Sequence, residues 1–128
     1  QLYGTMASLA AGMEILKKEN VTIDRMMGHG GLFKTPVVGQ KYMAAATNAP
    51  VWVMETAGEG GPYGMALLAA FLKDGNDATL EDFLAEKVFA GTPGTVLEPD
   101  EADVAGFQAY LNRYLAGLPV EQAAVDHL

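Results

Sequence analysis

The chain has 128 residues, half of them apolar and 19% charged, with sixteen acidic against eight basic side chains for a formal net charge of −8. That is enough for one domain with its own core, and an acidic balance with no run of lysine or arginine argues against a surface that tracks nucleic-acid phosphates. The absence of cysteine removes disulfides and thiolate metal sites and favours the reducing cytoplasm, and no uninterrupted stretch reaches the roughly 20 apolar residues of a membrane span.

Leu2, Met6, Leu9, Met13 and Leu16 recur at helical spacing, so a helix is already running at the first residue, with no N-cap before it. Two readings follow: the C-terminal piece of a longer protein, or a small complete domain that has lost its initiator Met. Gly4, Ala7, Ala11 and Gly12 make a small-residue face on this helix, able to pack on a neighbour, including a second copy of the chain in a homodimer. After Lys17-Lys18-Glu19-Asn20, Val21 to Met27 reads as a strand, and it runs into the turn Met27-Gly28-His29-Gly30-Gly31. Thr35-Pro36 marks a helix start, with Thr35 as N-cap and Pro36 at the first helical position, and that helix is expected to reach about Thr47. Asn48-Ala49-Pro50 breaks it, and Val51-Trp52-Val53-Met54 is a second short strand. A second glycine-rich turn, Gly58-Glu59-Gly60-Gly61-Pro62, leads into a helix predicted over Gly64 to Lys73, with Met65, Leu68, Ala69 and Leu72 inward and a stop at Asp74-Gly75.

These segments make a βαβα unit. Two such strands are most simply parallel neighbours joined by a right-handed helical crossover, which places both glycine turns at the C-terminal edge of the sheet. Open α/β sheets bind ligands at that edge. A turn without side chains lets backbone N–H groups approach a phosphate or ribose, and the following helix adds positive potential. Taken singly, each turn also has an architectural reading, because tight βα turns use glycine for conformational reasons.

In the last third, Thr79 starts a short helix with Leu80, Phe83, Leu84 and Val88 inward, Gly91-Thr92-Pro93-Gly94 turns the chain, and Thr95-Val96-Leu97 reads as an edge strand. Asp100 then opens a long helix whose buried stripe is Val104, Phe107, Leu111, Tyr114 and Leu118, and which Pro119 ends or kinks. His29, Glu55 and Glu59 come from separate loops with no metal-ligand spacing, so no protein metal site is predicted. Gly28-His29-Gly30 begins like a dinucleotide fingerprint, but Phe33 stands where its third glycine belongs. Lys34 is read either as a phosphate contact or as an exposed residue near a helix start, and Tyr63 as a core residue.

The order of a helix, a strand ending in Gly30-Gly31, Lys34-Thr35-Pro36 with Gln40 one turn on, Ala49-Pro50-Val51 entering a strand, and a glycine turn before Gly64-Met65-Ala66-Leu67-Leu68-Ala69-Ala70 resembles the C-terminal region of the FGGY carbohydrate kinases, with the ribulokinase and xylulokinase branches nearest. The resemblance spans residues 1 to 75, and residues 76–128 are expected to be a helical C-terminal extension. Leu32 and Phe33 depart from the family, which often carries a glycine and an alanine there. What the resemblance implies is an α/β fold of the actin-like ATPase (ribonuclease H-like) class, this chain being a C-terminal lobe fragment with a short parallel βαβα core flanked by helices. It implies an ATP site at Gly30 and Gly31, which match the turn that meets adenosine and the α-phosphate, at Thr35 and Gln40 on the helix flanking the base, and at Gly60 and Gly61 in the second loop. It also implies Mg²⁺ and a small sugar, a pentulose, as partners of the full-length enzyme. Its sugar pocket, first phosphate loop and aspartate base belong to an N-terminal domain, so no catalytic residue is expected here and the chain alone is expected to be inactive. The alternative is a non-catalytic α/β binding module or a nucleotide-switch protein of the same superfamily.

Overall fold

Helix α1 (Leu2–Lys18) opens the chain in the computed structural model, which describes residues 1–127. Its buried face is Met6, Ala7 and Ala10, flanked by Tyr3 and Leu9, whereas Leu2 and Leu16 at the ends of the expected stripe are exposed. The face is rotated because alanines let two other helices come close, α2 (Val38–Thr47) and α5 (Glu101–Asp126), and their aromatic side chains supply the apolar volume. Tyr3 meets the rings of Tyr42, Phe107 and Tyr110 at centroid distances of 5.4, 5.3 and 5.4 Å. Contacts climb together from Tyr3–Phe107 to the Ser8–Tyr114 hydroxyl pair, so α1 and α5 run in the same direction. Of the small-residue face that could meet a second copy, Ala7 is buried beneath α2 and α5, Gly4 and Ala11 are half-buried, and Gly12 is exposed. Lys41 on α2 joins Asp103 on α5 at 3.0 Å, and this hydrogen-bonded carboxylate holds the Lys41 ammonium above its ordinary pKa.

Strand β1 is only Met26–Met27, far shorter than the expected Val21 to Met27. Its partner β2 (Val51–Met54) explains the difference: it begins directly after Pro50, so the ladder reaches only from the Met26 N–H on the Pro50 carbonyl to the Gly28 N–H on the Trp52 carbonyl, each 2.8 Å. Residues 21–25 have no strand to lie against among the described residues. β1 and β2 are parallel and connected through α2, and β3 (Gly94–Leu97) pairs antiparallel with the other edge of β2. The sheet is thus three-stranded and mixed, in the order β1-β2-β3.

α2 starts later than expected. Thr35 is extended and caps nothing; Val37 occupies the position before the helix with φ 70° and ψ −41°, and the Val38 N–H bonds the Pro36 carbonyl at 2.8 Å. Pro36 biases Thr35 towards the extended region, so the chain has to reverse within Pro36-Val37-Val38 to enter the helix, and a strained three-residue γ-turn results. Asn48 in the left-handed conformation ends α2 after Thr47.

α3 (Gly60–Asp74) begins four residues before the predicted start at Gly64, so Gly60 and Gly61 are its first turn and not a free loop. Pro62 is no obstacle there, because the first four N–H groups of a helix have no acceptor inside it. The face expected inward is largely uncovered: Met65 is 69% and Leu72 86% exposed. α3 meets the chain through its N-terminal end and through Phe71, which packs on Phe83 at 5.4 Å. The short helix α4 (Leu80–Phe83) is capped by Thr79, which accepts from the Asp82 N–H at 3.1 Å while its hydroxyl donates to the Asp82 carboxylate at 2.7 Å, and a wide turn (Leu84–Val88) extends it. Asp100 caps α5 by accepting from the Ala102 and Asp103 N–H groups. Phe107 and Leu111 are buried, but Leu118 is exposed and the helix passes through Pro119 to Asp126. Leu115, four residues before the proline, is itself exposed, so water can satisfy the carbonyl that loses its partner.

Candidate functional site

The two glycine turns meet at the C-terminal edge of the parallel pair. After β1 the chain makes one tight helical turn (Gly31–Lys34), and after β2 another (Glu55–Glu59) that runs directly into α3. The Gly30 N–H donates to the Ala57 carbonyl at 2.7 Å, which ties the first turn to the second. Gly30 needs its lack of a side chain, since its φ is +99°. Gly31 and Gly61 differ: a Cβ at either would meet nothing within 4 Å, so the backbone is open on that side. A Cβ on Gly60 would come within 3.1 Å of the His29 ring, which lies against the start of α3.

Two glycines that drew little attention in the sequence set the shape of the first turn. The Phe33 ring lies over Gly28, where a Cβ would approach to 2.5 Å, and it also borders Gly39, whose Cβ would stand 2.8 Å from the Leu32 carbonyl. Phe33 is therefore folded back between β1 and α2, and of the two residues that depart from the family only Leu32 is exposed. The need for Gly39 was visible as a glycine in the first turn of a helix facing a bulky loop; its contact with Leu32 was not.

Gln40 is buried and points into the fold. Its Nε2 donates to the Val51 carbonyl at 3.1 Å and the Thr95 carbonyl at 3.0 Å, while the Thr95 hydroxyl donates to its Oε1 at 3.3 Å. One amide thus joins α2 to β2 and β3. Thr35 lies on the surface between the first tight turn and the γ-turn. Gly30 and Gly60 are brought together, Gly31 and Gly61 are open, and Gln40 is committed to holding the sheet. Thr95 was missed as its partner because 55 residues separate them.

Two clefts flank these turns. One, of about 460 Å³, has Phe33, Lys34, Val37 and Glu55 on one side and Gly94 to Leu97 of β3 on the other. The second, of about 470 Å³, opens on the opposite face of the sheet between Arg25, Met27, His29, Trp52 and Phe89. Arg25 sits 5.2 Å from the Trp52 ring centroid, a cation–π contact. The Trp52 indole N–H is buried with no partner among the described residues, because its ring lies directly beneath Gly94. A Cβ at Gly94 would stand 2.0 Å from that nitrogen. Gly94→Ala is accordingly expected to displace the indole and lower stability by about 1–3 kcal/mol. Trp52 is the only tryptophan, so its fluorescence reads the displacement directly; an unchanged emission spectrum would contradict the packing.

Lys34 Nζ bonds Glu59 Oε1 at 2.6 Å across the two turns. Among the described residues no group of three His, Asp or Glu side chains is placed to hold a metal ion, and no helix is long and apolar enough to cross a membrane.

A family model describing the C-terminal domain of the FGGY family of carbohydrate kinases matches residues 1–72. The match takes in α1, both glycine turns, α2 and most of α3; β3 and α5 lie beyond it. No curated protein and no solved structure matches the chain.

Proposed function

Since the chain belongs to the FGGY family of carbohydrate kinases, we propose that it is the ATP-binding part of an ATP-dependent kinase acting on a pentulose of the ribulose or xylulose type. The observation that carries this reading is the meeting of the two glycine turns at one sheet edge through the Gly30–Ala57 hydrogen bond. The open backbone at Gly31 and Gly61 supports it, since a phosphate or ribose can approach there as closely as the main chain allows. α3 begins at the second turn and adds the positive end of its dipole to the same region. The order of Lys34-Thr35-Pro36, Gln40 and Gly60-Gly61 supports the kinase family, and the likeness to its ribulokinase and xylulokinase branches is what points to a pentulose.

Phosphoryl transfer depends on positioning and on neutralising charge at the transferred group. This chain contributes one wall of such a site. No group of three His, Asp or Glu side chains among the described residues is placed to hold Mg²⁺. The aspartate base and the sugar pocket belong to other parts of the kinase, so the chain alone is expected to phosphorylate no sugar.

The test is an amide NMR titration with ATP. Shifts are expected at Gly30, Gly31, Gly60 and Gly61, larger for ATP than for inorganic phosphate. Gly31→Asp fits sterically, because nothing lies within 4 Å of the new Cβ, yet it sets a carboxylate against the nucleotide. It should weaken ATP binding about tenfold or more, as like charges a few ångströms apart near a protein surface repel by about 1–4 kcal/mol. Unchanged affinity would remove the first turn from the site.

A further inference from the structure

Lys34 is the only cation among the described residues that line the 460 Å³ cleft, which Glu55 also lines, and it is paired with Glu59, which lies outside that lining. Its direction is set by packing as well as charge. The alkyl stem crosses Gly58, where a Cβ would stand 3.1 Å from Cγ and 3.3 Å from Cε, so the ammonium group reaches from the first turn over the second. Lys34 and Glu59 are 55% and 68% exposed, and an ion pair in that setting is weak and easily exchanged. His29, the other titratable side chain at these turns, lines the opposite cleft against Gly60 and does not share in the pair.

We propose that Lys34, reaching from the first turn over the second, selects phosphorylated over unphosphorylated nucleotide at these turns, with Glu59 as its resting partner, which the phosphate chain displaces. This rests on the nucleotide reading above. A phosphate chain carries several charges where Glu59 carries one, and charge-assisted bonds to phosphate are strong, so the exchange runs towards the ligand. Glu59 thereby sets the threshold: it holds Lys34 in place while no anion is bound and competes with the incoming one. Neutralising Glu59 should strengthen polyphosphate binding, but only while Lys34 is present. Neither residue should affect adenosine, which has no charge to trade.

The experiment compares the chain with its Lys34→Met, Glu59→Gln and doubly substituted variants, each titrated by amide NMR with ATP, adenosine and inorganic tripolyphosphate. Circular dichroism checks folding, which the exposure of both side chains leaves intact. Lys34→Met is expected to weaken ATP and tripolyphosphate about five- to tenfold and Glu59→Gln to tighten them about threefold. In the double variant the gain from Glu59→Gln should vanish. If that gain persists without Lys34, Glu59 acts by general repulsion and the exchange is refuted. If adenosine binds but no variant alters the preference for ATP, the Lys34 proposal falls while the nucleotide reading stands. If tripolyphosphate responds to both residues but adenosine shifts nothing, the exchange stands and the nucleotide reading falls. If none of the three probes binds, both fall.

Discussion

Phe107→Ala is expected to lower stability by about 3–5 kcal/mol, the usual cost of emptying a fully buried aromatic site. Phe107 is 1% exposed and sits where α1, α2 and α5 converge, edge-on to Tyr3 at 5.3 Å and in a cluster with Met6, Ala7, Ala10, Ala45 and Leu111. Three of those neighbours are alanines, which cannot reach into the vacated space, so little of the cavity can collapse. Domains of this size have roughly 5–15 kcal/mol in total, and the substitution removes a large part of it. Denaturant unfolding measures the change through the transition midpoint. A loss below about 1 kcal/mol would mean that the three-helix layer is not what holds the chain together. The consequence reaches the site because α2 rests on that layer and carries both Gly39 and Gln40.

Gln40→Ala should cost about 2–4 kcal/mol, since it strips the hydrogen-bond donor from two carbonyls, Val51 and Thr95, in a buried or half-buried setting. Gln40→Met keeps most of the side-chain volume and removes only the amide, so it separates packing from hydrogen bonding. Both variants should lose amide-exchange protection first at β3, whose remaining support is its pairing with β2. The wall of the cleft formed by Gly94 to Leu97 should loosen with it. If Gln40→Met matches the parent chain in stability, the amide does not hold β3. If it also weakens ATP binding, Gln40 acts on the ligand.

Much of the chain was legible because its causes are local. α1, the break at Asn48-Ala49-Pro50, β2, the Thr79 and Asp100 caps, and an edge strand at Thr95 to Leu97 each follow from a few adjacent residues. The glycine turns and their common edge also followed, since two βα units in succession leave few ways to connect. Where the reading missed, the deciding contact came from elsewhere. Val21 to Arg25 have strand-like residues but no neighbouring strand among the described residues, because β2 begins only at Val51. Thr35-Pro36 looked like a helix start, but the close approach of Gly39 to the Leu32 carbonyl accompanies a γ-turn at Val37. The apolar spacing of Met65, Leu68 and Leu72 is real, yet no element among the described residues covers that face of α3.

Its sequence by itself determined the order of elements, the family, and the two turns at which a nucleotide is proposed to bind. Capping, glycine conformation and helical spacing act over a few residues and leave their mark in the chain order. Only the tertiary structure decided that Gln40 joins α2 to a strand 55 residues away, that Phe33 folds back over Gly28 and that Lys34 lies across Gly58 to Glu59. Each of these is a contact between segments whose separation is set by how the sheet and the helical layer pack, and packing geometry has no signature in residues that are neighbours only in space.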